Sequence, residues 1–132
     1  MPVIQSSSDL RDLAEERLAE AKTLVAAGHY SGAFYLAGYV AELGLKAVLT
    51  RSLGNFEMPN QKEVAKAHTH DLKALAAQAG LEPERDPKIS VDWNIMAPNW
   101  SPDDRYRAHT KARAEEMVDA AEEVLKWLKQ HW

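Results

Sequence analysis

The stretch from Tyr30 to Leu53 most constrains what this chain can become. Set at about 100° per residue it is apolar almost all round, and its polar groups, Ser31, Tyr35, Tyr39, Glu42, Lys46 and Thr50, fall in one narrow seam. A helix of this kind has no face to give to solvent, so it belongs at the centre of a bundle with other helices around it. No apolar run is read as long enough for a bilayer span, and Met1 to Ser8 lacks the basic and apolar regions of a signal peptide. The expectation is a cytoplasmic protein with no membrane contact.

The neighbours of that central helix are marked by their ends. Ser8 is predicted to cap a first helix that runs to Gly28, where a left-handed residue closes it. Leu10, Leu13, Ala14, Leu18, Ala21, Leu24 and Val25 make its apolar arc, and Arg17 falls inside that arc. Gly54 stops the central helix, while Gly32, Gly38 and Gly44 within it read as places where neighbours approach closely. Asn60 and Glu63 have capping-box spacing for a short helix over 61–67. Thr69 is predicted to cap a helix from His70 to Ala79, with Asp71 in its first turn and Gly80 as its stop.

From Leu81 to Trp100 the chain carries Pro83, Pro87 and Pro98 and no helical period, which predicts a long loop packed down by Ile89, Val91, Trp93, Ile95 and Trp100. Ser101, Pro102, Asp103 and Asp104 then start a last helix expected to reach Gln130, roughly 42 Å long. Its apolar arc takes in Tyr106, Met117, Ala120, Ala121, Val124 and Leu128, with Arg113 inside the arc and His109 at its edge. Alternating strand patterns are absent outside Lys88 to Trp93. The fold class expected is all-α, an antiparallel bundle of four to five helices forming one domain over 1–132.

Composition excludes several functions. There is no Cys, hence no disulfide, thiolate metal site or Cys nucleophile, and the net charge of −4 argues against a general duplex-DNA binder. His68, His70 and Asp71 resemble a metal cluster, but no further ligand has recognisable spacing, so neither metal nor cofactor is expected. A phosphate-cradling Gly-rich loop and a nucleophile elbow are likewise missing. His70, Asp71 and Arg17 are read as structural.

Charges on apolar faces supply the candidate site. Arg17, Glu42, Lys46, His109 and Arg113 must pair or open onto a wet cleft, because burying an unpaired charge costs several kcal/mol on the order given by desolvation. Either Arg17 or Lys46 is expected to answer Glu42. Between Arg105 and Arg113 stand four basic residues and one His with no acid, and Arg105, His109 and Arg113 would share a ridge at four-residue spacing. Such a ridge suits phosphate or anion recognition. Tyr35, Tyr39 and Tyr106 are candidates for stacking or hydrogen bonding beside it. Four Trp and four Tyr exceed what one small bundle needs, and from this a homodimer is expected.

The run Ala21 to Leu49, containing AGHYSGAFYLAGYVAELGLKAVL, resembles the first helical hairpin of the HEPN domain family. HTHDLKAL at His68 to Leu75 is similar to that family's short third helix, and WSPDDRYRA at Trp100 to Ala108 to the start of its last long helix, with Arg105 and Tyr106 as the matching pair. The resemblance spans about Ser8 to Leu128. It implies a bundle of four to five helices, frequent homodimerisation, and a role beside nucleotides or RNA, often next to a nucleotidyltransferase partner in toxin-antitoxin or defence pairs. The ribonuclease members carry an Arg, four to six intervening residues and then His; here only three residues separate Arg105 from His109, and Tyr106 follows the Arg as in the branch not regarded as nucleolytic.

Three functions are therefore weighed. The first is a non-catalytic module that binds a nucleotide, a phosphate-bearing ligand, RNA or a partner through Tyr35, Tyr39, Glu42, Lys46, Arg105, Tyr106, His109 and Arg113. The second is a metal-independent ribonuclease, with His109 as general acid or base and Arg105 stabilising the phosphorane-like charge. The third is a structural partner subunit.

Overall fold

A computed structural model describes residues 6–52 and 69–132. The described residues are helical throughout their ordered elements: α1 (Ser7–Ala26), α2 (Tyr30–Ser52), α3 (Leu72–Gln78), α4 (Ser90–Met96) and α5 (Lys111–Lys129), with 3-10 turns at Pro83–Arg85 and Pro102–Tyr106. The short helix expected over 61–67, with Asn60 and Glu63, lies outside the described residues.

Local chemistry sets most boundaries within two residues of expectation. Ser6, not Ser8, caps α1: its hydroxyl accepts from Asp9 N while the Asp9 carboxylate accepts from Ser6 N. Gly28 has φ +84°, and its amide and that of His29 return to the carbonyls of Val25 and Leu24, closing the helix in a Schellman turn. Gly80 at φ +75° closes α3 in the same way. Asp71 caps α3 in place of Thr69, because its carboxylate reaches the amides of Lys73 and Ala74; Thr69 instead accepts from Asp71 N.

As expected, α2 is central, packed by α1, α3, α5 and the 102–106 turn. It is long and apolar enough to cross a membrane by length and composition, contrary to the sequence reading, but 67% of the relevant window is buried inside the bundle. Contacts fix the helix directions. Lys22 pairs with Glu122 and Lys129 with Glu15, so α1 and α5 run antiparallel. Ser7 Oγ donates to the Ala47 carbonyl while Gly32 lies against Leu24, so α1 and α2 are antiparallel as well. It follows that α2 and α5 run the same way, and the chain between them must return along the bundle.

Two sequence expectations fail in that returning segment. The supposed loop 81–100 contains α4, because Ile89, Trp93 and Met96 bury one face at helical spacing while Val91, part of the apparent alternation, is exposed. The last helix is not continuous from Ser101 to Gln130. Ser101 and Asp104 form a capping box over a single 3-10 turn, the backbone extends at Arg107, and Thr110 caps a fresh helix by accepting from Arg113 N. Met117, Ala120, Ala121, Val124 and Leu128 are buried on α5 as expected, but Tyr106 is exposed. Trp93, Trp100 and Trp127 are buried and Trp132 packs against the core, so the tryptophans are used within the bundle.

Candidate functional site

The polar seam of α2 meets α3 and the 102–106 turn, and the meeting produces two clusters. The first is centred on Glu42, buried at 3% exposure. Its Oε2 accepts from Lys46 Nζ at 3.2 Å, one turn on, and its Oε1 lies 2.8 Å from His70 Nδ1, brought in just ahead of α3. Lys46 thus answers Glu42; Arg17 instead pairs with Glu20 on its own helix at 2.8 Å. The carboxylate favours a proton on Nδ1, which leaves Nε2 of the neutral ring as an acceptor.

Beside Glu42 the Tyr35 hydroxyl donates to the Tyr39 hydroxyl at 3.2 Å. Burial raises Tyr39 well above the ordinary phenol range, so it stays a neutral hydroxyl. The Tyr39 ring stands edge-on to Trp100 at 5.1 Å and to His70 at 6.3 Å. Trp100 is locked there: its indole N–H donates to the Tyr35 carbonyl at 3.0 Å, and its ring occupies the space that a Cβ on Gly38 would need, within 1.9 Å. Arg105 completes this cluster. Its guanidinium lies 4.8 Å from the Tyr106 ring centroid, and the hydroxyls of Tyr106 and Tyr35 hold it above its ordinary value.

The second cluster is centred on Asp104, 1% exposed. Its Oδ2 accepts from Ser101 N at 2.8 Å, and its Oδ1 accepts from His109 Nε2 at 3.0 Å and Arg107 Nη1 at 3.4 Å. The His109 ring stacks flat on Phe34, centroids 3.6 Å apart at 11°, and its backbone N–H donates to Ser31 Oγ at 2.9 Å. Arg113 is exposed, with its guanidinium 5.8 Å from the Phe34 ring centroid.

The predicted ridge of Arg105, His109 and Arg113 does not exist, because the three sit on a 3-10 turn, an extended link and a separate helix. Arg105 joins Tyr35, Tyr39 and Tyr106; His109 belongs to Asp104 and Phe34. Sequence reasoning used Asp104 as one of the residues that start the last helix and missed its role as the anchor of His109. The Ser-x-x-Asp spacing from Ser101 signalled the cap, but nothing local signalled the histidine. Among the described residues no three His, Asp or Glu side chains gather as a metal would need.

A cavity of about 670 Å³ opens beside the first cluster, between the start of α3 and the 97–103 segment, with Thr69, His70, Leu72, Pro98, Trp100 and Asp103 among its walls.

Comparison with known proteins agrees with this architecture. TT1696 from Thermus thermophilus is similar with a TM-score of 0.68 at 20% identity, covering 96% of this chain and 98% of its own. ST0689, an archaeal HEPN homologue, is similar with a TM-score of 0.65 at 21% identity, covering 96% of this chain and 97% of its own. At these identities the likeness is one of fold. No curated protein matches the sequence. The family model for the HEPN domain matches residues 7–131, and the chain therefore belongs to the HEPN domain family.

Proposed function

We propose that this HEPN domain is a cytoplasmic, non-cleaving module that binds a nucleotide, another phosphate-bearing ligand or RNA at Arg105, as a homodimer and beside a partner such as a nucleotidyltransferase. The observation that carries the reading is the company Arg105 keeps. It is an exposed cation with two phenol neighbours and no carboxylate in an ion pair with it among the described residues, while the nearest buried acid, Asp104, is already engaged by Ser101, Arg107 and His109. Phenols orient a guanidinium without neutralising it, so its charge stays available to a phosphate.

The state of His109 supports binding over cleavage. Its Nε2 is bonded to Asp104, and its ring lies flat on Phe34 with 11% of the side chain exposed. A general acid or base needs a ring nitrogen within hydrogen-bond reach of the reacting phosphate, on the order of 3 Å, and with Nε2 on Asp104 only Nδ1 of this nearly buried ring remains for that task.

Binding of pyrophosphate, nucleotides and a short single-stranded RNA to the full chain, measured across salt concentrations, tests the reading. Arg105→Ala is expected to weaken binding at least tenfold and flatten its salt dependence with the helical content unchanged. No affinity in the native protein would defeat the proposal, and RNA breakdown stopped by His109→Ala would install the ribonuclease in its place. Sedimentation that shows only monomer at micromolar concentration would remove the homodimer.

A further inference from the structure

We propose that the outer groove between α1 and α2, on the side away from α5, receives an amphipathic helix of a partner protein whose apolar stripe is flanked by basic residues. The proposal does not depend on what Arg105 binds.

Burial along the two helices outlines the groove. On α1, Leu10, Ala14, Leu18 and Ala21 mark the inward side, and Glu15 and Lys22, paired with Lys129 and Glu122, mark the side toward α5. Set at about 100° per residue, Leu13, Arg17, Glu20 and Leu24 then fall on the side opposite α5. Leu13 and Leu24 are only half-buried there. On α2, Leu36 and Leu43 share one face two turns apart and are half-buried in their turn. Gly32 lies against Leu24 and Ser7 bonds to Ala47, so the antiparallel register sets Leu36 abreast of Glu20 and Leu43 abreast of Leu13. A cavity of about 430 Å³, with Ala19, Glu20, Thr23, Leu24 and Leu36 in its walls, is one end of this groove.

Its length and lining suit a helix. From the level of Leu24 to that of Leu13 it runs about 16 Å, or roughly three helical turns. Two antiparallel helices with leucines along the valley between them leave a seat for a third whose apolar residues recur at i, i+4, i+7 and i+11.

Charge selects the occupant. Asp12 and Glu16, exposed and in no ion pair among the described residues, stand on the outer rim of α1, whereas Glu20 is matched by Arg17 and Lys46 of α2 by Glu42. The rim therefore carries uncompensated negative charge. A second copy docked here about a two-fold axis would set two acidic rims against each other, while Lys or Arg beside the stripe of a foreign helix would meet Asp12 and Glu16.

The test uses the full chain and a labelled helical peptide of about 15 residues, with Leu at i, i+4, i+7 and i+11 and Lys flanking that stripe. Its controls are the same peptide with Glu for each Lys, and a scrambled one. The Lys peptide is expected to bind at least about tenfold more tightly than either control, and to shift the methyl resonances of Leu13, Leu24, Leu36 and Leu43. Asp12→Lys with Glu16→Lys, both at exposed positions, should turn the preference toward the Glu peptide. Leu36→Gln should weaken binding about tenfold with the helical content unchanged. No binding of the Lys peptide, equal affinity for the Lys and Glu peptides, or shifts confined to other faces overturns the proposal. So does a native dimer that Leu36→Gln breaks apart, since a second copy would then close the groove.

Discussion

The Glu42 and Asp104 clusters are built from the same three parts, a buried carboxylate, a histidine and a basic side chain, yet the histidine is 53% exposed in the first and 11% in the second. In the first, the cation comes from the same helix and is nearly buried, so the carboxylate is neutralised from within and its histidine is free to face outward. In the second, the histidine is turned inward onto Phe34 and the exposed partner is Arg107. The same chemistry thus leaves a ring open in one place and sets chain path in the other: Asp104 and His109 hold the 102–110 segment against α2, and Glu42 holds a ring at the mouth of a cavity. Exposure of the histidine, not its pairing, separates the two roles.

The sharpest way to break this comparison is at Asp104. Asp104→Ala leaves a capping amide and the His109 ring without their acceptor, and should cost on the order of 3 to 5 kcal/mol in urea unfolding. A loss no larger than that of a surface charge would show that the anchor is not one. Next come the two histidines: His109→Ala is expected to lose about 2 to 4 kcal/mol through its stack and hydrogen bond, and His70→Ala less than about 1 kcal/mol. Equal losses would erase the distinction drawn between the clusters. Gly38→Ala pushes a Cβ into Trp100 and should cost about 1 to 3 kcal/mol, with a shift in tryptophan emission as the readout. The smallest effect belongs to Arg17. A double-mutant cycle of Arg17→Ala with Glu42→Gln should give coupling near zero, within about 0.3 to 0.5 kcal/mol, since Arg17 pairs with Glu20.

Periodicity made the bundle legible. The buried face of α1, the central place of α2 and the arc from Met117 to Leu128 all follow from spacing alone. What spacing cannot supply is a partner. A helical wheel placed Arg17 off the solvent face, but a flexible stem let it reach Glu20 at the rim, one third exposed. The break between Tyr106 and Lys111 was hidden for a related reason: no Pro or Gly marks it, and it is held by Asp104 to His109 and His109 to Ser31, the latter a contact between residues 78 apart in the chain. α4 was hidden by Val91, whose exposure shows that the alternation around it was accidental. Tyr35, Tyr39, Glu42, Lys46 and Arg105 were found together because four of them share one seam; His109 and Arg113 were joined to them only by a helix that does not run through.

The shared direction of α2 and α5 carries a consequence for the order in which the molecule assembles. α1 and α2 meet by closing a tight turn at 27–29, whereas α5 reaches α2 only after the whole connection 53–110 has been brought round. On chain-closure entropy alone the second event is harder by about 2 to 3 kcal/mol. The hairpin is then the early nucleus, and the segment that carries Arg105 and Trp100 docks late onto a surface already formed. A ligand gripping both α2 and the 102–106 turn would act as a clasp on that late step, slowing the detachment of the segment far more than the opening of the hairpin.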